Sequence, residues 1–327
     1  MPAIEETAQQ LAAIPNLKTV AGALLKNYTR FGIGGPARIY AETSDPVSFV
    51  EALRVVRAEA SPYVVIGGGT NLIVSDAGYG GIVLRYTART VSHNGNAVYA
   101  EAGADLQELV DYTAGQGLQG LETMTGIPGS VGAAVYGNAG AYGHSIMESV
   151  YSVRFFDGES IRTFDNAQCE FRYRESVFKR HKNWIIFSTE LHLKPASAAE
   201  LHNTADGILK IRNEKYPPTM KCAGSIFKNL ILNQLPEHVR AAVPAKVIRE
   251  GKVPSAYFLE QVGAKGLKNG DIHVADYHAN LIYNVGHGTA RELIEVIDLL
   301  KSRVAERFGL ELEEEVQYVG FDMRASG

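Results

Sequence analysis

The sequence predicts a mixed helix–strand protein, α+β or α/β, with many short connections. Three observations carry this. The first half alternates short β-branched runs with glycine turns. Two amphipathic stretches of helical spacing interrupt those runs. The last third holds one helix with both a start and a stop signal, flanked by strand-like segments.

Taken in order, Pro46 to Glu59 reads as the first of these helices. Val64-Val65-Ile66 then runs straight into Gly67-Gly68-Gly69, and Leu72-Ile73-Val74, Ile82-Val83-Leu84 and Ala97 to Ala100 read as further strands. Asp105 to Gly115 is the second helix, with Leu106, Leu109 and Val110 on one face. A second strand group covers Val150 to Phe156 and Trp184 to Leu193, and Lys194 to Ala198 looks like a boundary. A helix from about Ala199 to Asn213 must stop before Tyr216-Pro217-Pro218, because proline lacks the N–H and clashes with the preceding turn. His278 to Tyr283 is a strand. Thr289 with Glu292 forms a capping box, Leu293, Ile297, Leu300, Val304 and Phe308 repeat at helical spacing, and Gly309 ends the run. Leu310 to Val319 alternates like a strand.

Composition limits the function classes. The 327 residues suffice for two or three domains, and 46% apolar residues can fill a large core. A net charge of -4 and a pI near 6.2 give no electrostatic reason for nucleic-acid binding. The two cysteines, Cys169 and Cys222, are too few for a disulfide scaffold and lack zinc spacing. Met1 to Asn16 shows no basic then apolar leader, and no apolar run has the length of a membrane span. A soluble cytoplasmic protein is expected.

Five segments carry candidate chemistry, each with a plainer reading. In Gly67-Gly68-Gly69-Thr70-Asn71, consecutive glycines let backbone N–H groups converge on a pyrophosphate, and the same turn closes a strand without any ligand. It is not the dinucleotide fingerprint, since G-x-G-x-x-G is absent. Gly126-Ile127-Pro128-Gly129-Ser130-Val131-Gly132-Ala133-Ala134, then Asn138 to Gly143 with Gly140 at its centre, offers bare main chain to a flat cofactor or to a packed helix. Tyr173-Arg174 presents a guanidinium suited to a carboxylate, or is an ordinary surface strand. Ser225, in Ala223-Gly224-Ser225-Ile226-Phe227-Lys228-Asn229, has no hydrolase elbow around it and is a proton donor or a turn serine. Glu311 to Glu315 is a solvated face, unless burial raises one carboxyl and makes it an acid.

Together and in this order, these segments and Asn27 to Gly35 resemble the UDP-N-acetylenolpyruvoylglucosamine reductases of bacterial peptidoglycan synthesis, over nearly the whole chain to Gly320. The resemblance implies an α+β protein with an FAD-binding fold of the vanillyl-alcohol oxidase (PCMH) type. Its two flavin subdomains would be 1–90 and 91–205, with a C-terminal α+β substrate-binding domain at 206–327. It implies FAD lined by Gly67, Gly68, Gly69, Thr70, Asn71, Gly126, Ile127, Pro128, Gly129, Ser130, Gly132, Ala133 and Gly140. Related oxidases often link flavin through a histidine near the first loop; Thr70 and Asn71 stand there, so noncovalent FAD is expected.

The implied chemistry is reduction of FAD by NADPH, hydride transfer to C3 of an enolpyruvyl UDP-sugar, and protonation at C2. By the same resemblance Arg174 stabilises the enolate, Ser225 donates the proton and Glu315 supports the enol, with Glu313 the competing register. Tyr142, Tyr173, Lys215, Asn229 and His278 match substrate-binding positions, and other members carry glutamine at the last. A cytoplasmic monomer with no nucleic-acid, membrane or metal partner is expected. Departures are a short span from Leu193 to Arg212, as in the subclass lacking a tyrosine-bearing loop, Leu230 after Asn229 where proline is common, glutamate for the usual proline before Glu315, and a long stretch from Leu232 to Val253. The rival readings are an alcohol or sugar oxidase of the same flavin fold and a nucleotide-binding module without turnover.

Overall fold

A computed structural model describes residues 2–321. The chain forms two compact units: residues up to 23, 37–68 and 80–214 make the first, and 24–36, 69–79 and those from 215 on make the second.

The first unit contains two sheets. One runs Lys18–Ala21, Ala37–Thr43, Tyr79–Tyr86, Tyr63–Ile66, with the last two strands parallel. The other is antiparallel, in the order Ile161–Asp165, Val150–Phe156, Ile185–His192, Ala97–Glu101, Val91–Asn94. The helix Pro46–Ala58 starts where expected because the Asp45 carboxylate accepts from Val47 N–H and Ser48 N–H. Asp105 is likewise the cap, not the first turn, of Leu106–Gly115. The first helix buries Phe49, Leu53 and Val56, and Phe49 meets Tyr86 and Phe187 edge-on at 5.7 and 6.0 Å between centroids. Each such ring contributes roughly 1.5–3 kcal/mol by burial alone. A second aromatic group joins Phe155, Phe164, Phe178 and Trp184.

Lys194 to Ala198 is not a loose connection. Lys194–Pro195 pairs with Leu118–Gln119, and Ala196 N–H donates to Gly117 O at 2.8 Å. The helix that follows, Ala198–Lys215, is longer than expected at both ends and passes through position 206.

The second unit is built on a sheet ordered Lys221–Ser225, His278–Asn284, Ile272–Ala275, Lys268–Asn269. The helices Ser255–Gln261 and Ala290–Phe308 pack on it. The longer one has the expected Thr289 capping box and a left-handed Gly309 (φ 66°), and buries Leu293, Ile297, Leu300 and Val304. Its first turn gains a cap the sequence did not reveal: the Asp76 carboxylate accepts from Ala290 N–H at 2.8 Å and Arg291 N–H at 3.0 Å.

Leu310 to Val319 departs from expectation. Only Gln317–Val319 is ladder strand, parallel to Leu72–Val74. Upstream, Lys228 N–H donates to Glu313 O and Glu315 N–H to Ile226 O, with Phe227 and Glu314 opposite one another. The alternation survives, with Leu310, Leu312 and Val316 buried, but the partner changes midway and splits the ladder. The long stretch after Leu232 is a folded excursion: Leu230–Ile231 pairs with Lys252–Val253 at its base, and Leu235, Val239 and Val243 enter the core of the unit.

Candidate active site

In the first unit, two glycine-bearing loops lie close against one another. A Cβ on Gly67 would stand 2.9 Å from Ser130 Oγ, and one on Gly68 would touch Gly129 Cα at 3.4 Å. The second loop is pinned to the capped helix: Leu106 N–H donates to Gly129 O at 2.9 Å, and Gly126 N–H to Gln107 Oε1 at 2.6 Å. Ile127 packs on the core, while Pro128 and Ala133 are exposed. Gly132 is small for a different reason, since its Cβ would meet Ala102 Cβ at 2.7 Å. Arg212 of the Ala198–Lys215 helix fills the space beside Gly126, with Nε 3.0 Å from where a Cβ would be. No sequence signal singled it out.

A tight group of left-handed residues follows. Asn138 (φ 44°), Tyr142 (φ 53°) and Arg174 (φ 57°) all adopt a conformation side chains disfavour. Such strain, of order 1–3 kcal/mol each, concentrates at functional positions. Tyr173-Arg174 is therefore a turn rather than a surface strand, closed by two hydrogen bonds between Arg172 and Glu175. Asn138 Nδ2 donates to Arg172 O at 2.8 Å, and Arg174 Nη2 donates to Gly140 O at 3.0 Å. The guanidinium lies 5.3 Å from the Tyr173 ring centroid. Arg174 is thereby gathered with Gly140, Tyr142 and Tyr173, and Tyr142 is half exposed.

In the second unit, Gly69 answers to packing: its Cβ would fall 1.8 Å from Tyr28 O, at φ 67°. Thr70 and Asn71 continue the loop. Asn71 Nδ2 donates to Glu315 O at 2.9 Å, and Asn71 O accepts from Gln317 N–H at 3.0 Å. Glu315 N–H donates to Ile226 O at 2.7 Å, so Asn71, Glu315 and the residue after Ser225 form one hydrogen-bonded row. Glu313 differs. Its carboxylate is engaged by the buried Lys228 ammonium, and its own side chain is 69% exposed.

Ser225 ends a strand whose register shifts between Cys222 and Ser225, where Gly224 takes φ 76°. The chain beyond it is gripped by Asn280. That side chain accepts from Phe227 N–H at 2.9 Å and donates to Phe227 O at 2.8 Å and to Ser255 Oγ at 2.7 Å, while 2% exposed. The sequence reading passed over Asn280; its signal was an amide inside the otherwise apolar run Ala279 to Ile282.

His278 lies on the same strand. Burial, reinforced by the Lys215 ammonium, pushes its imidazole down to about 4. Its Nδ1 accepts Asn280 N–H at 3.1 Å, which leaves the proton of the neutral ring on Nε2. A neutral histidine in this tautomer offers an N–H donor, as a glutamine amide also can. Lys215 ends its helix with Nζ 5.0 Å from the Tyr216 ring centroid, and Tyr277 Oη–H donates to Lys215 O at 2.9 Å. Asn229 follows Lys228 at the foot of the Leu232 excursion and is half-buried. Both cysteines are buried and reduced, and burial pushes the Cys169 thiol up to about 12, so it is inert.

The paired glycine loops fit a diphosphate-bearing cofactor: their consecutive backbone N–H groups suit an anion, and at Gly68 and Gly129 the two main chains approach directly. Residues 37–161 match the model of the FAD-binding domain, which places the protein among the flavin-dependent oxidoreductases. Residues 216–319 match the model of the UDP-N-acetylenolpyruvoylglucosamine reductase C-terminal domain. The reductase of that name from Solibacter usitatus is 63% identical over 95% of this chain and 100% of its own, and that from Pseudothermotoga lettingae 33% identical over 90% and 95%. The crystal structure of the Thermus caldophilus enzyme superposes with a TM-score of 0.71 at 28% identity, covering 93% of this chain and 98% of the other. The chain belongs to the UDP-N-acetylenolpyruvoylglucosamine reductase family. The expected α+β FAD-binding fold is borne out by these matches. No helix of the described residues is long and apolar enough to cross a membrane.

Proposed function

We propose that this protein reduces the enolpyruvyl group of UDP-N-acetylglucosamine enolpyruvate to UDP-N-acetylmuramate, with NADPH as reductant and FAD held noncovalently. Family membership supports the reaction, and the hydrogen-bonded row of Asn71, Glu315 and Ile226 beside Ser225 is the observation that carries the site. Gly67, Gly68, Gly126, Gly129 and Ser130 would hold FAD, with Thr70 where a linking histidine would stand. When bound, FAD would supply the redox chemistry, relaying hydride from NADPH to C3 of the substrate.

The chain's own residues handle the charge that follows. The electron pair collects at C2 and the adjacent carboxylate. Arg174, fixed by Gly140 O and Tyr173, pairs with that carboxylate and stabilises the enolate. Ser225 gives its hydroxyl proton to C2. Glu315, rather than Glu313, supports the enol: its main chain is tied on both sides, whereas the Glu313 carboxylate is already taken by Lys228. Tyr142, Tyr173, Lys215, Asn229 and the Nε2–H of His278 bind the substrate. Residues 1–90 and 91–205 hold the flavin, the latter also lending Tyr142, Tyr173 and Arg174 to the substrate, and 206–327 supply the remaining substrate contacts. We place the protein in the cytoplasm as a monomer without membrane or nucleic-acid partners, the last supported by its -4 charge.

The test has two stages. The purified protein should show a flavin spectrum that acid precipitation releases from the polypeptide, and anaerobic NADPH should bleach it. A flavin that NADPH leaves oxidised would point instead to an oxidase. In Ser225→Ala, reoxidation by substrate should slow on the order of 10²–10⁴-fold.

A further inference from the structure

The proton that Ser225 surrenders has to be replaced, and the structure places a second acid beside it. Tyr216 Oη lies 3.3 Å from Ser225 Oγ, across the turn Pro217 to Met220. Catalytic hydrogen bonds are often this long before substrate arrives. Tyr216 packs against the cluster of Cys222, Ala275 and Leu281, which positions the ring, and the residue is half-buried. The titratable groups around it are Lys215, Cys222, Tyr277, His278 and Tyr283. Of these, His278 is a poor source of protons, since its ring is neutral at any pH well above 4.

We propose that Tyr216 is a further catalytic residue, which donates its phenolic proton to Ser225 Oγ as Ser225 donates to substrate C2. This rests on the assignment of Ser225 as the C2 acid. The electron pair at C2 takes the Ser225 proton, forming the C2–H bond and breaking the Oγ–H bond. The Tyr216 proton moves to Oγ, restoring the serine. The phenolate then takes a proton from water, so the sequence consumes the one solvent proton that reduction by NADPH requires. The order is favourable because a phenol ordinarily ionises near pH 10, far more readily than an aliphatic alcohol, so negative charge passes from alkoxide to phenolate downhill. With the phenol as donor, Oγ accepts and the serine O–H is left to face the carbon.

The test is rapid mixing of enzyme prereduced by NADPH with the enolpyruvyl UDP-sugar. In Tyr216→Phe, flavin reoxidation should slow on the order of tenfold to a hundredfold, well beyond any change in flavin reduction. Its dependence on deuterium content should pass from curved in the native enzyme, with two protons in flight, to linear. Placing 3-fluorotyrosine at 216 keeps the hydroxyl and should restore the rate. It should also move the alkaline limb of reoxidation down by the acidity difference between the two phenols, which a packing role would not do. Reoxidation of Tyr216→Phe at the native rate, with Ser225→Ala slow, would overturn the relay and leave the Ser225 assignment standing. A slow Tyr216→Phe whose fluorotyrosine form shows no shift of that limb would overturn it too. Ser225→Ala reoxidising at the native rate would remove both.

Discussion

The loops around Gly67 and Gly129 and the strands around Ser225 hold their functional groups by opposite means. In the first unit the working surface is bare main chain, and its shape comes from the absence of Cβ atoms: Gly67 faces Ser130, Gly68 faces Gly129. In the second the working groups are side chains, and their positions come from buried polar partners: Asn280 grips Phe227, and Asn71 grips Glu315. A surface of the first kind fails when an atom is added, and one of the second kind when a hydrogen bond is removed.

The strongest test of that contrast adds a single methyl. Gly69→Ala, where the same glycine loop continues into the second unit, would drive Cβ into Tyr28 O at a left-handed φ, and should cost on the order of 4 kcal/mol or prevent folding. Gly80→Ala, which meets nothing within 4 Å, should change the urea midpoint little, within about 0.5 kcal/mol. If both behave alike, close approach is not what selects glycine here.

Removing a hydrogen-bond donor should come next. Asn280→Ala leaves the buried Phe227 N–H without its partner and Phe227 O with Ser255 Oγ alone, 3.3 Å away, for a loss of roughly 2–3 kcal/mol in denaturant unfolding. A loss below about 0.5 kcal/mol would mean that the strand ladder alone fixes the chain after Ser225.

The two glutamates separate position from mere presence. Glu315→Gln should lower the rate of substrate-driven flavin reoxidation about tenfold, equivalent to ~1.4 kcal/mol in the barrier. Glu313→Gln, whose own side chain is exposed, should leave that rate near native although it removes the carboxylate that pairs with the buried Lys228 ammonium. The reverse result would transfer the role to Glu313.

The smallest effect concerns pH. The His278 imidazole is lowered from 6.5 to about 4 in the folded protein, so between those values the unfolded chain binds more protons. The stability this group contributes is complete above pH 6.5 and is lost as pH falls towards 4. His278→Gln keeps an N–H donor but cannot titrate. Melting temperatures from pH 7 to 4 should therefore fall less steeply in the variant than in the native protein, and parallel curves would refute a buried neutral ring.

Much of the fold was legible because its signals are local. Thr289, Glu292 and Gly309 delimit a helix by groups within one turn of its ends, and those caps appear where the sequence puts them. The division of Leu310 to Val319 was not, because alternation records which face is buried and says nothing about which strand lies alongside. The Tyr-Arg turn was missed for a related reason, as a left-handed arginine has no compositional mark. In the site, the glycine loops announced themselves by composition, whereas Tyr216 read only as the end of a helix.

The glycine segments, the capped helices and the ordered motifs that mark the family follow from the sequence by itself, since each depends on neighbours a few residues apart or on the residues' own identity. The tertiary structure alone decided that Asn280 holds the chain beyond Ser225, that Tyr216 stands against its hydroxyl, and that Lys228 engages Glu313 while Asn71 ties Glu315. Apart from Tyr216, those partners are separated by 53 to 244 positions in the chain. Hydrogen bonds of that span exist only once the core has closed and brought the groups within 3 Å or so of one another.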